Sequence, residues 1–144
     1  MYLDFLGRVS NAQAFGAAAV STDSVDLGNV TPKREIGTGE VVGFGIVVTT
    51  AGTVAATLFE VISATDAALT AGILVHASLS VPLAQTVAGF STFLALPPGT
   101  PTQRFIGVRA TTAGGTISAT AWLTSQSLFS ILAKSYAKGY TVTV

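Results

Sequence analysis

The sequence contains no cysteine and a single histidine among its 144 residues. Without cysteine the chain has no disulfide framework, no thiolate chemistry and no cysteine-ligated zinc site. One histidine likewise excludes a metal centre built from several imidazoles. That histidine, His76, lies in an alternating apolar segment typical of a half-buried strand, so we expect it to be structural rather than catalytic. We therefore predict no catalytic residue, no cofactor and no metal.

Charge is scarce as well. Charged residues make up 10% of the chain, against about a quarter in a typical domain. Lys and Arg number 7, Asp and Glu number 7, and the formal net charge is zero, so we expect neither nucleic acid nor an anionic membrane as a partner. Hydrophobic residues reach 49%. A chain with so little charge is expected to self-associate, because exposed apolar patches usually mark interaction surfaces.

Long apolar runs are also missing, since Ser, Thr and Gly interrupt every hydrophobic segment well below a membrane-spanning length. The first residues show neither the basic cluster nor the apolar run of a signal peptide. The carboxylates are scattered. Asp23 and Asp26 form the closest pair, but their spacing fits neither a glycosidase pair nor a calcium loop. Turn formation explains both aspartates better.

Two apolar segments, residues 41–50 and 54–63, dominate what is present. Both alternate as β-strands, and Ala51-Gly52-Thr53 between them predicts a hairpin. Neither strand has a strongly polar face, so large apolar groups remain on both sides. A second sheet or another subunit must cover them.

Further strands are predicted at residues 73–80, 90–96, 104–112 and 116–125, the last two as a second hairpin across 113–115. Seven or eight short strands without intervening helices predict an all-β sandwich that forms one structural domain. Its strand order is expected to be Greek-key or jelly-roll-like, although spacing alone does not determine the connectivity. We expect residues 1–39 to be an extended N-terminal arm with a first short strand. Residues 40–125 then form the sandwich core, and residues 126–144 a short helix and tail.

Several large apolar side chains are candidates for self-association. Trp122 and Phe105 fall on the polar faces of their strands, which indicates either a subunit interface or a cover provided by a loop of the same chain. The strand-like tail at 140–144 is open to two interpretations, pairing with a neighbour's sheet edge or lacking structure. The predicted self-association residues are Phe59, Phe105, Trp122, Leu128, Phe129, Leu132 and Tyr136.

Short motifs in the amino-terminal third follow a recognisable order: Tyr2-Leu3-Asp4, Ser10-Asn11-Ala12-Gln13-Ala14, Val25-Asp26-Leu27-Gly28 and Ile36-Gly37-Thr38-Gly39-Glu40. In these motifs the sequence resembles the Bbp16-like capsid cement proteins of tailed bacteriophages. A weaker match continues to Thr65-Asp66, and beyond it only the pattern of short strands agrees, to about residue 125.

The resemblance implies a jelly-roll sandwich on the outside of an icosahedral shell, where it bridges neighbouring major capsid proteins. It also implies small oligomers on local symmetry axes, homodimers first and trimers as an alternative. The exposed loop expected at residues 31–35 is in the first interpretation a solvated connector. In the second it is a docking loop, and the resemblance places it among the capsid-contacting elements. The expected capsid contacts are Tyr2, Leu3, Asp4, Phe5, Arg8, Gln13, Lys33 and Arg34.

Two other classes of protein remain open. One is a glycan-binding β-sandwich of a phage tail or cell surface, in which Trp122 among Thr and Ser residues stacks on a sugar. The other is a hydrolytic enzyme with an unusual site around His76.

Overall fold

The computed structural model describes residues 7–29, 39–53, 55–99 and 101–129. Within these ranges the chain forms strands, a 3₁₀ turn at Leu83–Gln85 and a helical segment at residues 126–129. None of the helical structure in this part of the chain is long and apolar enough to cross a membrane. The strands are β1 Arg8–Phe15, β2 Ala19–Val20, β3 Val25–Asp26, β4 Val42–Thr50, β5 Thr57–Ala64, β6 Leu74–Val81, β7 Ser91–Ala95, β8 Phe105–Thr112 and β9 Ile117–Ser125.

The strands form two antiparallel sheets that pack face to face, which confirms the predicted all-β sandwich. Sheet A has the order β1-β9-β4-β7, and sheet B has the order β2-β8-β5-β6 with β3 also paired to β8. When β2 and β3 are taken as one interrupted strand, consecutive strands alternate between the sheets except at the β5–β6 hairpin. This is the order of a jelly roll.

Both predicted hairpins are wrong. β4 belongs to sheet A and β5 to sheet B, and the same holds for β9 and β8. The segments that follow β4 and β8 therefore carry the chain from one sheet to the other. Glycine indicates a change of direction but cannot tell a hairpin from a crossing between sheets. The true partner of β5 along the chain is β6.

The N-terminal segment is part of the sandwich rather than an extended arm from Arg8 onward. β1 pairs with β9, and β2 and β3 both pair with β8. β1 lacks a regular alternation because its register shifts twice and Ala12 has a φ of 46°. Thr120 Oγ1 accepts the Ala12 N–H at 2.8 Å and fixes this irregular turn of the strand. Residues 1–6 lie outside the described ranges.

The main core lies between the sheets, where alternate side chains of facing strands meet. Sheet A contributes Phe44, Ile46 and Val48 from β4, and sheet B contributes Phe59 and Val61 from β5. Complete burial of side chains of this size contributes about 1.5–3 kcal/mol each.

The outer faces also carry apolar clusters, and the chain covers them itself. Val47, Trp122 and Phe129 form the cluster outside sheet A. Ile62, Ala64 and Leu69 form the one outside sheet B, where Leu69 belongs to the loop between β5 and β6. Asp66 holds that loop closed, because its carboxylate accepts the N–H groups of Thr70 and Ala71.

Candidate functional site

Many of the predicted contact residues lie outside the described part of the chain and stay predictions. They belong to the segments at the amino terminus, at residues 30–38 and after residue 129. These residues are Tyr2, Leu3, Asp4, Phe5, Lys33, Arg34, Leu132 and Tyr136.

Two predicted capsid contacts, Arg8 and Gln13, lie on β1. Arg8 begins the strand opposite Trp122. The Gln13 amide already binds its own chain: Nε2 donates to the Val20 carbonyl, and Oε1 accepts from the N–H and hydroxyl of Thr22, each at 2.8 Å. Gln13 thus ties β1 to the turn after β2. A capsid contact through this amide would have to share these bonds.

Phe59 was predicted to mediate self-association, and the structure contradicts this. Its side chain is 0% exposed and lies between the two sheets. The segment carries large side chains on both faces, and β5 turns the Phe59 face towards sheet A. A second subunit cannot reach the ring without opening the sandwich.

Trp122 lies on the outer face of sheet A, as predicted, but its own chain covers it. The indole is 2% exposed and Phe129 is 8% exposed. Their ring centroids are 6.1 Å apart, and Phe93 lies 5.6 Å from Phe129. The interface interpretation of Trp122 is therefore wrong, and its alternative, a cover from the same chain, is confirmed. The predicted self-association role of Phe129 is wrong as well, because its ring is buried as part of that cover. The burial of Trp122 removes the sugar-stacking platform of the glycan-binding hypothesis.

A hollow at Gly45 explains how Phe129 reaches this position. A Cβ at Gly45 would lie 2.5 Å from Phe129 Cδ2 and 3.2 Å from Trp122 Cε2. The missing side chain on β4 thus admits the ring. Gly43 on the same strand also allows close packing, since a Cβ there would collide with the backbone of Leu94 on β7.

Phe105 and Leu128 are the described self-association candidates with accessible side-chain surface. Leu128 is exposed, whereas Phe105 is half-buried against the outer cluster of sheet B. The Arg104 guanidinium lies 4.9 Å from the Phe105 ring centroid, within cation–π range. Both residues stay predictions as contact sites.

Asp26 and Arg104 form an exposed bidentate ion pair beside Phe105. Arg104 Nε donates to Asp26 Oδ1 and an Nη donates to Oδ2, both at 2.8 Å. The Gly28 N–H donates to the same carboxylate. Together these donors lower the pKa of Asp26 to about 2, with the Arg104 hydrogen bonds as the largest cause. Asp26 therefore stabilises the turn at Gly28 and forms an ion pair with Arg104.

His76 is the chain's only histidine, and its Nε2 lies 2.7 Å from Ser63 Oγ. A serine and histidine at this distance are the pair that hydrolases use. However, Ser63 is 0% exposed, and its Oγ accepts the Gln103 N–H at 2.9 Å. Burial lowers the pKa of His76. The arrangement fastens the loop before β8 to β5 and β6, and it gives a substrate no access to the hydroxyl.

His76 is also the extra residue of a β-bulge. Val61 pairs with Ala77 and Ile62 pairs with Val75, which leaves His76 without an opposite residue on β5. Within the described part of the chain, no group of three or more His, Cys, Asp or Glu side chains is placed to hold a metal ion.

Sequence reasoning missed an accessible apolar edge along β6. Leu74 is 43% exposed and Val75 49% exposed, and Leu79 is exposed as well. The alternation in this segment predicted a strand with one buried face. The edge could have been identified from the absence of charged residues, because no Asp, Glu, Lys or Arg occurs between Asp66 and Arg104.

Comparison with known families now adds to this geometry. The Bbp16 family model matches residues 9–125. The chain belongs to the Bbp16 family. No curated protein matches it.

The Bbp16 match begins in β1 and ends at the last residue of β9. The shared part is thus the sandwich, with both sheets and the core between them. Phe129, which covers Trp122, lies beyond the Bbp16 match.

Proposed function

We propose that this Bbp16-family protein is a structural component of a phage virion. In this proposal it binds the outside of an icosahedral tailed-phage capsid and cements neighbouring major capsid proteins, which stabilises the shell. The observation that carries the proposal is the family match over residues 9–125. The amino-terminal motifs that resemble the cement proteins of this family support it.

The described side chains fit a protein that works through surfaces. The polar groups that would be candidates for chemistry are bound internally: Gln13 to a turn, and Ser63 to His76 and Gln103. Three apolar clusters, one between the sheets and one on the outer face of each sheet, make the sandwich rigid. A cement protein needs such rigidity, because many weak contacts add up only when the geometry of each is fixed.

The proposed partner is the major capsid protein, with neither nucleic acid nor membrane involved. Contacts are proposed for residues 2–5, for Arg8, and for Lys33 and Arg34, which lie in the sequence between β3 and β4. Extended segments can add main-chain hydrogen bonds to a neighbouring sheet. Homodimers on local symmetry axes are the proposed form, with trimers as the alternative.

The test is co-sedimentation of the purified chain with shells of its own phage that lack it. Deletion of residues 1–6 is the main variant, because it stops before β1 and leaves the pairing with β9 intact. Lys33→Ala/Arg34→Ala is the second variant. Thr49→Lys, at an exposed position of β4, is the matched control.

We expect saturable binding by the full chain and the control, and binding at least about tenfold weaker after the deletion. Binding unaffected by either variant would move the contact elsewhere on the sandwich. A full-length chain that stays in the supernatant would reject the capsid role. In the described part of the chain, the covered Trp122 gives the glycan-binding alternative no support.

A further inference from the structure

β6 is an edge strand that pairs only with β5. Its second edge presents backbone N–H and C=O groups that have no strand beside them among the described residues. Monomeric proteins protect such edges with charged side chains, proline, bulges or a covering loop, because an open edge readily accepts another strand.

The protection on β6 is confined to one end. The bulge at His76 distorts the first half of the strand, whereas residues 77–81 pair with β5 in regular register. No charged residue occurs among residues 77–81, the half of β6 with regular pairing. The charge-free stretch between Asp66 and Arg104 includes both β6 and β7, the edge strands of the two sheets on the same side of the sandwich.

The opposite side of the sandwich differs. There β1 begins with Arg8, and β3 ends with Asp26 in its ion pair with Arg104. Among the described residues, the edge strands on this side therefore carry charges, whereas β6 and β7 carry none. The contrast makes the β6 side the one suited to a neutral partner.

Apolar side chains accompany the open edge on both faces of β6. Leu79 is opposite Phe59 and thus on the inner face, whereas Val75 is opposite Ile62 and on the outer face. Of the seven large hydrophobic side chains that are exposed in the described part of the chain, five belong to β6 or the segment just after it. They are Leu74, Val75, Leu79, Leu83 and Val87.

We infer that β6 is the dimer interface of this protein and that its occupant is β6 of a second copy, paired antiparallel across a two-fold axis. In an isologous contact a charge close to the two-fold axis faces its own copy and is repelled by it. A strand without charge avoids this repulsion. Pairing through residues 77–81 continues sheet B into the partner and covers Leu79 and its apolar neighbours.

This inference rests on the homodimer of the proposed function and names its interface. Its test uses the purified chain alone, so a failure here is distinguishable from a failure to bind shells. The test variant is Ser78→Lys/Ser80→Lys, which adds charge at two exposed positions on the regular half of β6. Lys at position 78 would lie opposite Glu60, which favours folding of the single chain. Thr49→Lys/Ala113→Lys adds the same charge at exposed positions away from the edge.

Sedimentation velocity over a dilution series at low ionic strength gives the mass. We expect twice 14.6 kDa for the wild type and the control. For the β6 variant we expect a dissociation constant at least about tenfold higher. Circular dichroism verifies that the variant is folded. A wild type at 14.6 kDa throughout, or a β6 variant that dimerises like the control, would overturn the inference.

A second measurement does not depend on the lysine variants. Because the chain has no cysteine, Ser78→Cys, Leu79→Cys and Ser80→Cys can each be oxidised singly, with Thr49→Cys as the control. A covalent dimer from a β6 position and none from position 49 would support the inference, and absence of any β6 cross-link would contradict it. A monomeric wild type whose β6 variant no longer binds shells would assign the edge to a capsid strand instead.

Discussion

The ring of Phe129 fills the hollow that Gly45 leaves on the outer face of sheet A, with Cδ2 2.5 Å from where a glycine Cβ would be. We expect Gly45→Ala to displace the ring and lower the free energy of unfolding by about 1–3 kcal/mol. The emission of Trp122, the only tryptophan, should shift to longer wavelength as its cover moves. Gly16→Ala is the control, since nothing lies within 4 Å of its Cβ position. Unchanged stability and emission would contradict the described contact.

Thr57 and Thr112 are opposite each other on β5 and β8 but differ in hydrogen bonding. Thr112 Oγ1 donates to the Gly115 carbonyl at 3.1 Å, whereas the buried Thr57 Oγ1 has no partner in the described structure. We expect Thr57→Val to raise the free energy of unfolding by about 1 kcal/mol and Thr112→Val to lower it by a similar amount. Urea unfolding of both variants measures the difference. Equal effects would mean that the two hydroxyls have equivalent environments.

The half-buried His76 makes stability depend on pH. Burial lowers its folded-state pKa below the ordinary value of 6.5, so unfolding takes up a proton between the two values. The stability that the neutral ring contributes is complete above the unfolded pKa and is lost as pH falls through the folded one. Urea midpoints at about pH 7.5 and about pH 5.5 should differ more in the wild type than in His76→Gln. The same difference in both proteins would exclude His76 as the cause.

Arg104 controls the acid titration of Asp26. Its hydrogen bonds are the main reason that the Asp26 pKa is about 2 rather than 3.8. The corresponding stability is present above pH 3.8 and is lost as pH falls towards 2. Arg104→Gln should raise the pKa of Asp26, which an NMR titration of the side-chain carboxyl carbon can follow. Asp66 is the internal control, because Thr70 and Ala71 lower its pKa. An unchanged Asp26 titration would contradict the ion pair.

The sequence was informative about strands and misleading about their partners. The apolar pattern located β4 and β5 within a few residues, because a strand that is buried on both faces appears in the sequence as a run of apolar residues. Pairing is a different matter, since Ser10 lies opposite Ala121 and Val42 opposite Ser125. The residues near each strand in the sequence do not indicate a partner at such a separation. β1 escaped detection because its register shifts and the positive φ of Ala12 break the period of two.

The contact residues show the same division. The outer-face position of Trp122 follows from alternation alone, and the structure confirms it. That Phe129 covers Trp122 does not follow from alternation. The cover requires the chain after β9 to place Phe129 over β4 at Gly45, where the missing side chain leaves room for the ring. Phe59 was misassigned because a strand that is apolar on both faces does not reveal which face turns inward. The open edge of β6 was detectable only as an absence of charge.

The pairing of β1 with β9 also determines when the protein can fold. Ser10 Oγ donates to the Ala119 carbonyl across 109 positions of sequence, and β9 separates β1 from β4 in sheet A. Such non-local contacts slow folding, because the loop must close before the contacts form. A growing polypeptide on the ribosome can assemble β5 and β6 early, but β1 has to wait for β9. Sheet A is therefore completed only when synthesis has passed Ser125, and any chain that stops before Ile117 leaves its first strand without its partner.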